Sequence, residues 1–189
     1  AIRMISFDET IPSAEFFKDK IEQAVNVRRD LNLIESEGQN ICRLIHAEGD
    51  GLSGLIVDYY DRVAVVQTHS LGMHNSLEWI VDGLKLALQD ALVGVYNKSA
   101  KVLRKNGHAT NLDAWVLGNA PENWNAKEHG NSFAIDLIAG QKTGFFIDQR
   151  ENRFLLSQLS KGKKVLNTFS YTGGFSVSAL QGGATSVHS

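Results

Sequence analysis

One cysteine, Cys42, stands in 189 residues. An intrachain disulfide is therefore excluded, and a reducing compartment fits. The prolines number two, and neither an internal repeat nor a low-complexity linker interrupts the chain. No apolar run approaches the roughly 18 residues that a membrane span needs, so no membrane partner is expected. No leader pattern opens the sequence, and a cytoplasmic location is the expectation. Neither sign of charge dominates: the formal net charge is -2 and the pI is near 6.3. Binding to nucleic acid would then have to come from a local basic patch. The six histidines (46, 69, 74, 108, 129 and 188) lack metal-ligand spacing, which argues against a zinc site.

What is present is ordinary for a globular chain: 43% hydrophobic and 21% charged residues, enough for one large or two small domains. Residues 1–8 read as a lone strand. Ser13 opens a helix to about Arg29 whose apolar positions Phe17, Ile21, Ala24 and Val25 share one face. Arg43–His46 is a short strand. Leu55–Tyr60 and Val63–Gln67 read as a hairpin joined at Asp61-Arg62. Asn75 with Glu78 resembles a capping pair for a helix that buries Leu77, Ile80, Val81, Leu84 and Leu88. Val93–Asn97 is another strand, and Trp115–Leu117 is one more or part of a loop. The result is a small α+β unit, strand-strand-helix-strand-strand, over residues 40–125.

A second hairpin follows, Ala126–Glu128 and Phe133–Leu137 about His129-Gly130-Asn131. The pattern then turns α/β. Asp148 with Glu151 caps a helix to about Leu159, Val165–Phe169 is a strand, Phe175–Leu180 a helix and 184–189 a second strand. Parallel strands are normally covered on both faces, and two strands do not make such a sheet. The chain is therefore expected to be a fragment, or to be completed by another chain.

Two stretches carry chemistry. The first runs Val165-Leu166-Asn167-Thr168-Phe169-Ser170-Tyr171-Thr172-Gly173-Gly174-Phe175, a strand entering a glycine turn before a helix. Nucleotide-like cofactors bind at such turns, where glycine lets the backbone come close. Phe169 and Tyr171 stand where a dinucleotide site often has glycine, which disfavours an NAD reading. The same turn also fits a strand–helix junction that needs glycine for geometry alone. The second stretch is Gly140-Gln141-Lys142-Thr143-Gly144-Phe145-Phe146-Ile147-Asp148-Gln149-Arg150. Phe145 is suited to packing on a planar ligand, and Lys142 or Arg150 to meeting a carboxylate. Phe146 reads as core and Asp148 as a helix cap.

Together, residues 140–153 and 165–177 closely resemble the large-subunit ribosomal RNA cytosine-5 methyltransferases, class I enzymes that use S-adenosylmethionine. The likeness extends upstream through Gly51–Asp58 and Val95–Ser99. It implies that residues 1–12 are the tail of an RNA-binding PUA domain, 13–39 a linking helix and 40–125 the middle domain. Residues 126–189 would begin a Rossmann-like methyltransferase sheet. It also implies that Asn167, Ser170, Tyr171, Thr172, Gly173 and Gly174 line the methionine end of the cofactor, with Lys142, Thr143, Phe145 and Gln149 close by. The implied partners are S-adenosylmethionine and ribosomal RNA, with a homodimer left open.

The family's ribose-holding carboxylate would fall just past Ser189, and its proline-containing motif and catalytic cysteine match nothing in these residues. Cytosine-5 methylation needs a thiolate to add to C6 of the base, and Cys42 reads as a buried structural thiol. The chain alone is thus expected to be inactive and to bind cofactor weakly or not at all. A different class remains open: a non-catalytic RNA-binding module built on the basic cluster Lys98–Lys105, with Lys98, Lys101 and Arg104 meeting phosphate. Trp115 and Trp124 either stack on a base or pack against the hairpin.

Overall fold

The structure, a computed structural model, describes residues 4–7, 9–108, 113–122 and 124–189. Helix α1 spans Ala14–Asp30, with the Ser13 hydroxyl accepting from the Phe16 amide at its start. Arg28 and Arg29 in the last turn complement the helix dipole. Its buried face is Phe17, Ile21, Ala24 and Val25, as the spacing predicts.

Strands β1 (Ile41–His46), β2 (Leu55–Tyr60), β3 (Val63–Thr68), β4 (Gly94–Asn97) and β5 (Ala114–Gly118) form one mixed sheet in the order 1-2-3-4-5. The expected strand-strand-helix-strand-strand unit is there, and β1 adds an antiparallel edge ahead of it. Within this sheet β3 and β4 are the one parallel pair, joined through α2 (Leu71–Asn75) and α3 (Leu77–Leu88). The tight β2–β3 turn holds Asp61 and Arg62 at φ 41° and 71°, the twist that two-residue hairpins favour. Asp61 tolerates this because its carboxylate accepts from the Asn40 side chain and the Asn125 amide.

Helices α1 and α3 pack together over one face of the sheet. The helices run close at Gly83 of α3, where a Cβ would meet the Ile21 Cδ1 at 2.7 Å and the Lys18 Cα at 3.5 Å. Because strand side chains alternate, Ala64 and Val66 join that core while Val63 and Val65 join a second one. The second core receives Ala126, Phe133, Ile135, Leu137 and Phe145 from the next part of the chain. That chain is the hairpin β6 (Ala126–Glu128) and β7 (Asn131–Phe133), then α5 (Arg150–Leu159), β8 (Lys164–Leu166), α6 (Gly174–Gln181) and β9 (Ser186–His188). Strands β8 and β9 pair in parallel. The short helix α4 (Ala100–Lys105) connects β4 towards β5.

Several expectations change. Residues 4–7 form no strand; residues 1–3 and 8 lie outside the described residues. Ser70, not Asn75, opens the helical stretch: its hydroxyl accepts from the Met73 amide, and Asn75 ends α2. Asp148 does not cap α5, where Gln149 stands at the cap without a side-chain bond. Strand β7 stops at Phe133, and β8 stops at Leu166, leaving Phe169 93% exposed.

Candidate functional site

Two loops meet over a cavity of about 610 Å³. One is the stretch 136–149, the other the turn 167–174 that enters α6. The long loop starts at Asp136, whose carboxylate accepts from the amides of Ile138 and Ala139 at 3.0 and 2.8 Å. Those bonds, the one from Ala139 foremost, hold its carboxyl below the usual carboxylate range. The Gly140 carbonyl then accepts from the Lys98 ammonium at 2.7 Å. The Gln141 amide donates to the Tyr171 hydroxyl, also at 2.7 Å. Tyr171 thereby ties the two loops together.

The next residue anchors the loop more deeply. Thr143 is 1% exposed and donates to Asp58 at 2.5 Å, with the Tyr60 hydroxyl 2.8 Å from its Oγ1. Arg43 closes the network with bonds of 2.8 and 3.1 Å to the same carboxylate. Burial, then the Asp58 charge, pushes the Tyr60 hydroxyl well above its ordinary value. A charge as buried as Asp58 needs such partners. Thr143 is therefore a bolt between loop and sheet; it does not line the cavity.

Lys142 faces outward. Its ammonium is 2.9 Å from Asp148 and 4.4 Å from the Phe146 ring centre. The Lys142 bond is the first cause holding the Asp148 carboxyl below its ordinary range. Both partners are about half exposed, at 44% and 51%, so the pair adds little stability. Lys142 and Tyr171 hold left-handed backbone, φ 52° and 46°. For non-glycine residues such conformations cost on the order of 1 kcal/mol or more, and they cluster at functional sites.

Glycine is needed in the turn for two separate reasons. Gly173 has φ 77° and stands at the start of α6. Gly174 makes room: a Cβ there would come 3.2 Å from Arg153 Cδ and 3.5 Å from Phe145 Cζ. Arg153 itself is 2% exposed. It forms a bidentate pair with Glu128, at 2.6 and 2.7 Å, and lies 4.5 Å from the Phe145 ring centre.

Of the residues expected at the cofactor, Lys142, Phe145, Gln149, Ser170, Tyr171, Thr172 and Gly174 line the cavity. Thr143, Asn167 and Gly173 do not. The Asn167 side chain donates to Ser176 at 2.8 Å, and Gly173 shapes the turn. The two phenylalanines exchange their expected weights. Phe145 is 2% exposed and packs on Phe133 with 4.9 Å between ring centres. Phe146 is half-buried in the cavity wall, edge-on to Tyr171 at 5.3 Å. Gln141, Asp148, Arg153, Phe169 and Phe175 also line the wall and were not expected there. No spacing rule singles out Asp148, whose pair with Lys142 forms across the folded loop.

Lys98, Lys101 and Arg104, expected to meet RNA, line a second cavity of about 690 Å³. Lys98 spends one of its three donors on the Gly140 carbonyl, and burial lowers its ammonium below the ordinary value. Cys42 is 1% exposed, and burial pushes its thiol up to about 12. Trp115 packs on Tyr96 at 5.3 Å, and Trp124 packs against the second core. Among the described residues no group of three His, Cys, Asp or Glu could hold a metal, and no helix is long and apolar enough to cross a membrane.

Comparison with known proteins adds an independent finding. Residues 43–189 match the model of a family described as S-adenosylmethionine-dependent methyltransferase. The chain is 38% identical over 188 residues to the ribosomal RNA large subunit methyltransferase I of Alteromonas mediterranea, covering 98% of this chain and 46% of that protein. It thus spans about half the length of the curated relatives it matches. A solved structure from Streptococcus mutans, described as an S-adenosylmethionine-dependent methyltransferase, aligns with a TM-score of 0.82 at 28% identity, over 97% of this chain and 46% of that one. A solved methyltransferase complexed with S-adenosylhomocysteine gives the same figures.

Proposed function

The chain belongs to the S-adenosylmethionine-dependent methyltransferase family, and from that premise we propose that the cavity between its two loops takes the cofactor for methylation of cytosine C5 in large-subunit ribosomal RNA. The carrying observation is that both motif stretches, far apart in sequence, build one cavity and are tied by Tyr171.

The residues present fit the group. A volume of about 610 Å³ is in the range of small-molecule sites. Phe146, Phe169, Tyr171 and Phe175 offer flat apolar wall, and Gly174 lets the turn pack closely on Arg153 and Phe145 behind it. The Lys142–Asp148 pair at the rim presents one cation and one anion, complementary to an amino acid's carboxylate and ammonium. When bound, the cofactor supplies an activated methyl group on a sulfonium. Tyr171 and Thr143 hold the loop in place, so the wall is formed in advance.

The attacking thiolate is a separate matter. At neutral pH a thiol with a pKa of about 12 is not ionised, and Cys42 is sealed in the core between the sheet and helices α1 and α3. This chain therefore carries the cofactor side of the reaction. Alone it does not complete cytosine-5 transfer. The working division is 40–125 as a middle domain and 126–189 as the start of the methyltransferase domain, acting in the cytoplasm on ribosomal RNA.

Two measurements test this. Titration of the chain with S-adenosylhomocysteine, followed by amide chemical shifts, should move Lys142, Phe146 and Tyr171 first, with weak affinity; shifts centred elsewhere count against the cavity. In a protein containing this chain and the rest of its relatives' length, label from methyl-labelled cofactor should reach C5 of a cytosine. Label on a nitrogen or a ribose oxygen would remove the cytosine-5 assignment.

A further inference from the structure

The second cavity is lined by α4, by residues 138–142 and by Arg43, Ile56 and Gln67 of the sheet. Five cationic residues line it: Arg43, Lys98, Lys101, Arg104 and Lys142. Asp113 is the one acidic lining residue, and its carboxylate already accepts from the Ala100 amide at 2.8 Å. That concentration stands out on a chain with a net charge of -2.

Three of the five cations are committed. Arg43 binds Asp58, Lys142 binds Asp148 and Lys98 binds the Gly140 carbonyl. Lys101 and Arg104 remain. They stand three apart on exposed helix, with no ion pair among the described residues. Like charges at that spacing repel slightly, a cost that an anion between them reverses. The partner of Lys98 is a neutral carbonyl, so its charge also adds to the field in the cleft.

The position of the cleft is as telling as its charge. Gln141 and Lys142 line both cavities and form a common wall between them. We infer that this cleft seats a backbone phosphate of single-stranded RNA through Lys101 and Arg104, which brings the acceptor nucleotide beside the cofactor cavity. The choice of RNA rests on the function proposed above; the phosphate chemistry does not. Arginine and lysine serve a phosphate without reading a base, so the cleft positions the strand and leaves base selection to other groups.

The test is anisotropy of a labelled single-stranded RNA with the whole chain across a salt series. For single strands, log K falls against log salt by about 0.7 per phosphate contact. The double variant Lys101→Gln, Arg104→Gln removes that one phosphate contact and should therefore flatten the slope by about 0.7. A control, Lys163→Gln with Lys164→Gln, removes two exposed cations that line neither cavity and should leave the slope unchanged. Equal flattening by both pairs, or by neither, overturns the inference. Inorganic phosphate binding that the double variant abolishes, with the RNA slope left unchanged, would mark a site for the free anion and overturns it too. S-adenosylhomocysteine titration of the same variants separates the two readings. Its failure in the unmodified chain, with the slope change intact, defeats the cofactor cavity and leaves the cleft standing.

Discussion

In β3, Val63, Ala64, Val65 and Val66 are all buried, whereas β8 exposes Lys164 and Leu166 and β9 exposes Ser186 and His188. The first strand lies inside a five-stranded sheet with a hydrophobic cluster on each face; the others pair only with each other. Around β8 and β9, Leu155, Leu159, Leu166 and Leu180 are each more than half exposed. The difference shows where the site draws its rigidity. The loop 136–149 is bolted to the well-covered sheet through Thr143 and Lys98. The turn 167–174 follows directly from β8 and reaches that support through Tyr171 and Gly174.

The contrast can be broken most forcefully at Arg153. Replacing it with alanine leaves the Glu128 carboxylate buried and unpaired, and should cost about 3–5 kcal/mol in denaturant unfolding. A loss under about 1 kcal/mol would mean the pair does not join hairpin to helix. Next comes a matched pair of leucines. Leu44→Ala, at 0% exposure, should cost about 2–5 kcal/mol. Leu166→Ala, at 68%, should stay within about 0.5 kcal/mol. Equal losses would erase the distinction between the sheets. Thr143→Val removes a donor from Asp58 and a partner from Tyr60 and should cost about 1–3 kcal/mol. It should also weaken S-adenosylhomocysteine binding, if the loop needs its bolt.

The smallest effect is acid sensitivity. The Asp136 carboxyl is depressed in the folded chain, so its contribution is full above the unfolded value, about 4, and is lost as pH falls through the folded value. The gap in unfolding midpoint between the unmodified chain and Asp136→Asn should be constant from neutral pH to about 5 and close below about 4. A gap that already closes near neutrality would point to another group.

Local pattern accounts for what could be read in advance. The buried face of α1, the β2–β3 hairpin and the His129-Gly130 turn each depend on neighbours within a few residues, and each is where its periodicity places it. The errors at helix starts are local too. Asn75 and Asp148 are good cap residues in suitable positions, but Ser70 begins the helix earlier, and Asp148 is drawn to Lys142. The site was legible as two motifs and not as a set of roles. Thr143 finds Asp58 85 residues away, and Arg153 finds Glu128 25 residues back. No spacing rule reaches that far. Which of Phe145 and Phe146 turns inward depended on the second core of the sheet, which a linear reading does not display.

The wall that the two cavities share has a thermodynamic consequence. Gln141 and Lys142 make up that wall; Lys98 bonds the Gly140 carbonyl just before it, and Tyr171 accepts from the Gln141 amide. Two ligands seated against the same two residues are coupled wherever either one shifts them. A ligand that shifts the wall from one side changes what the other ligand meets. Linkage then requires the effect to be mutual: the factor by which S-adenosylhomocysteine tightens RNA must equal the factor by which RNA tightens S-adenosylhomocysteine.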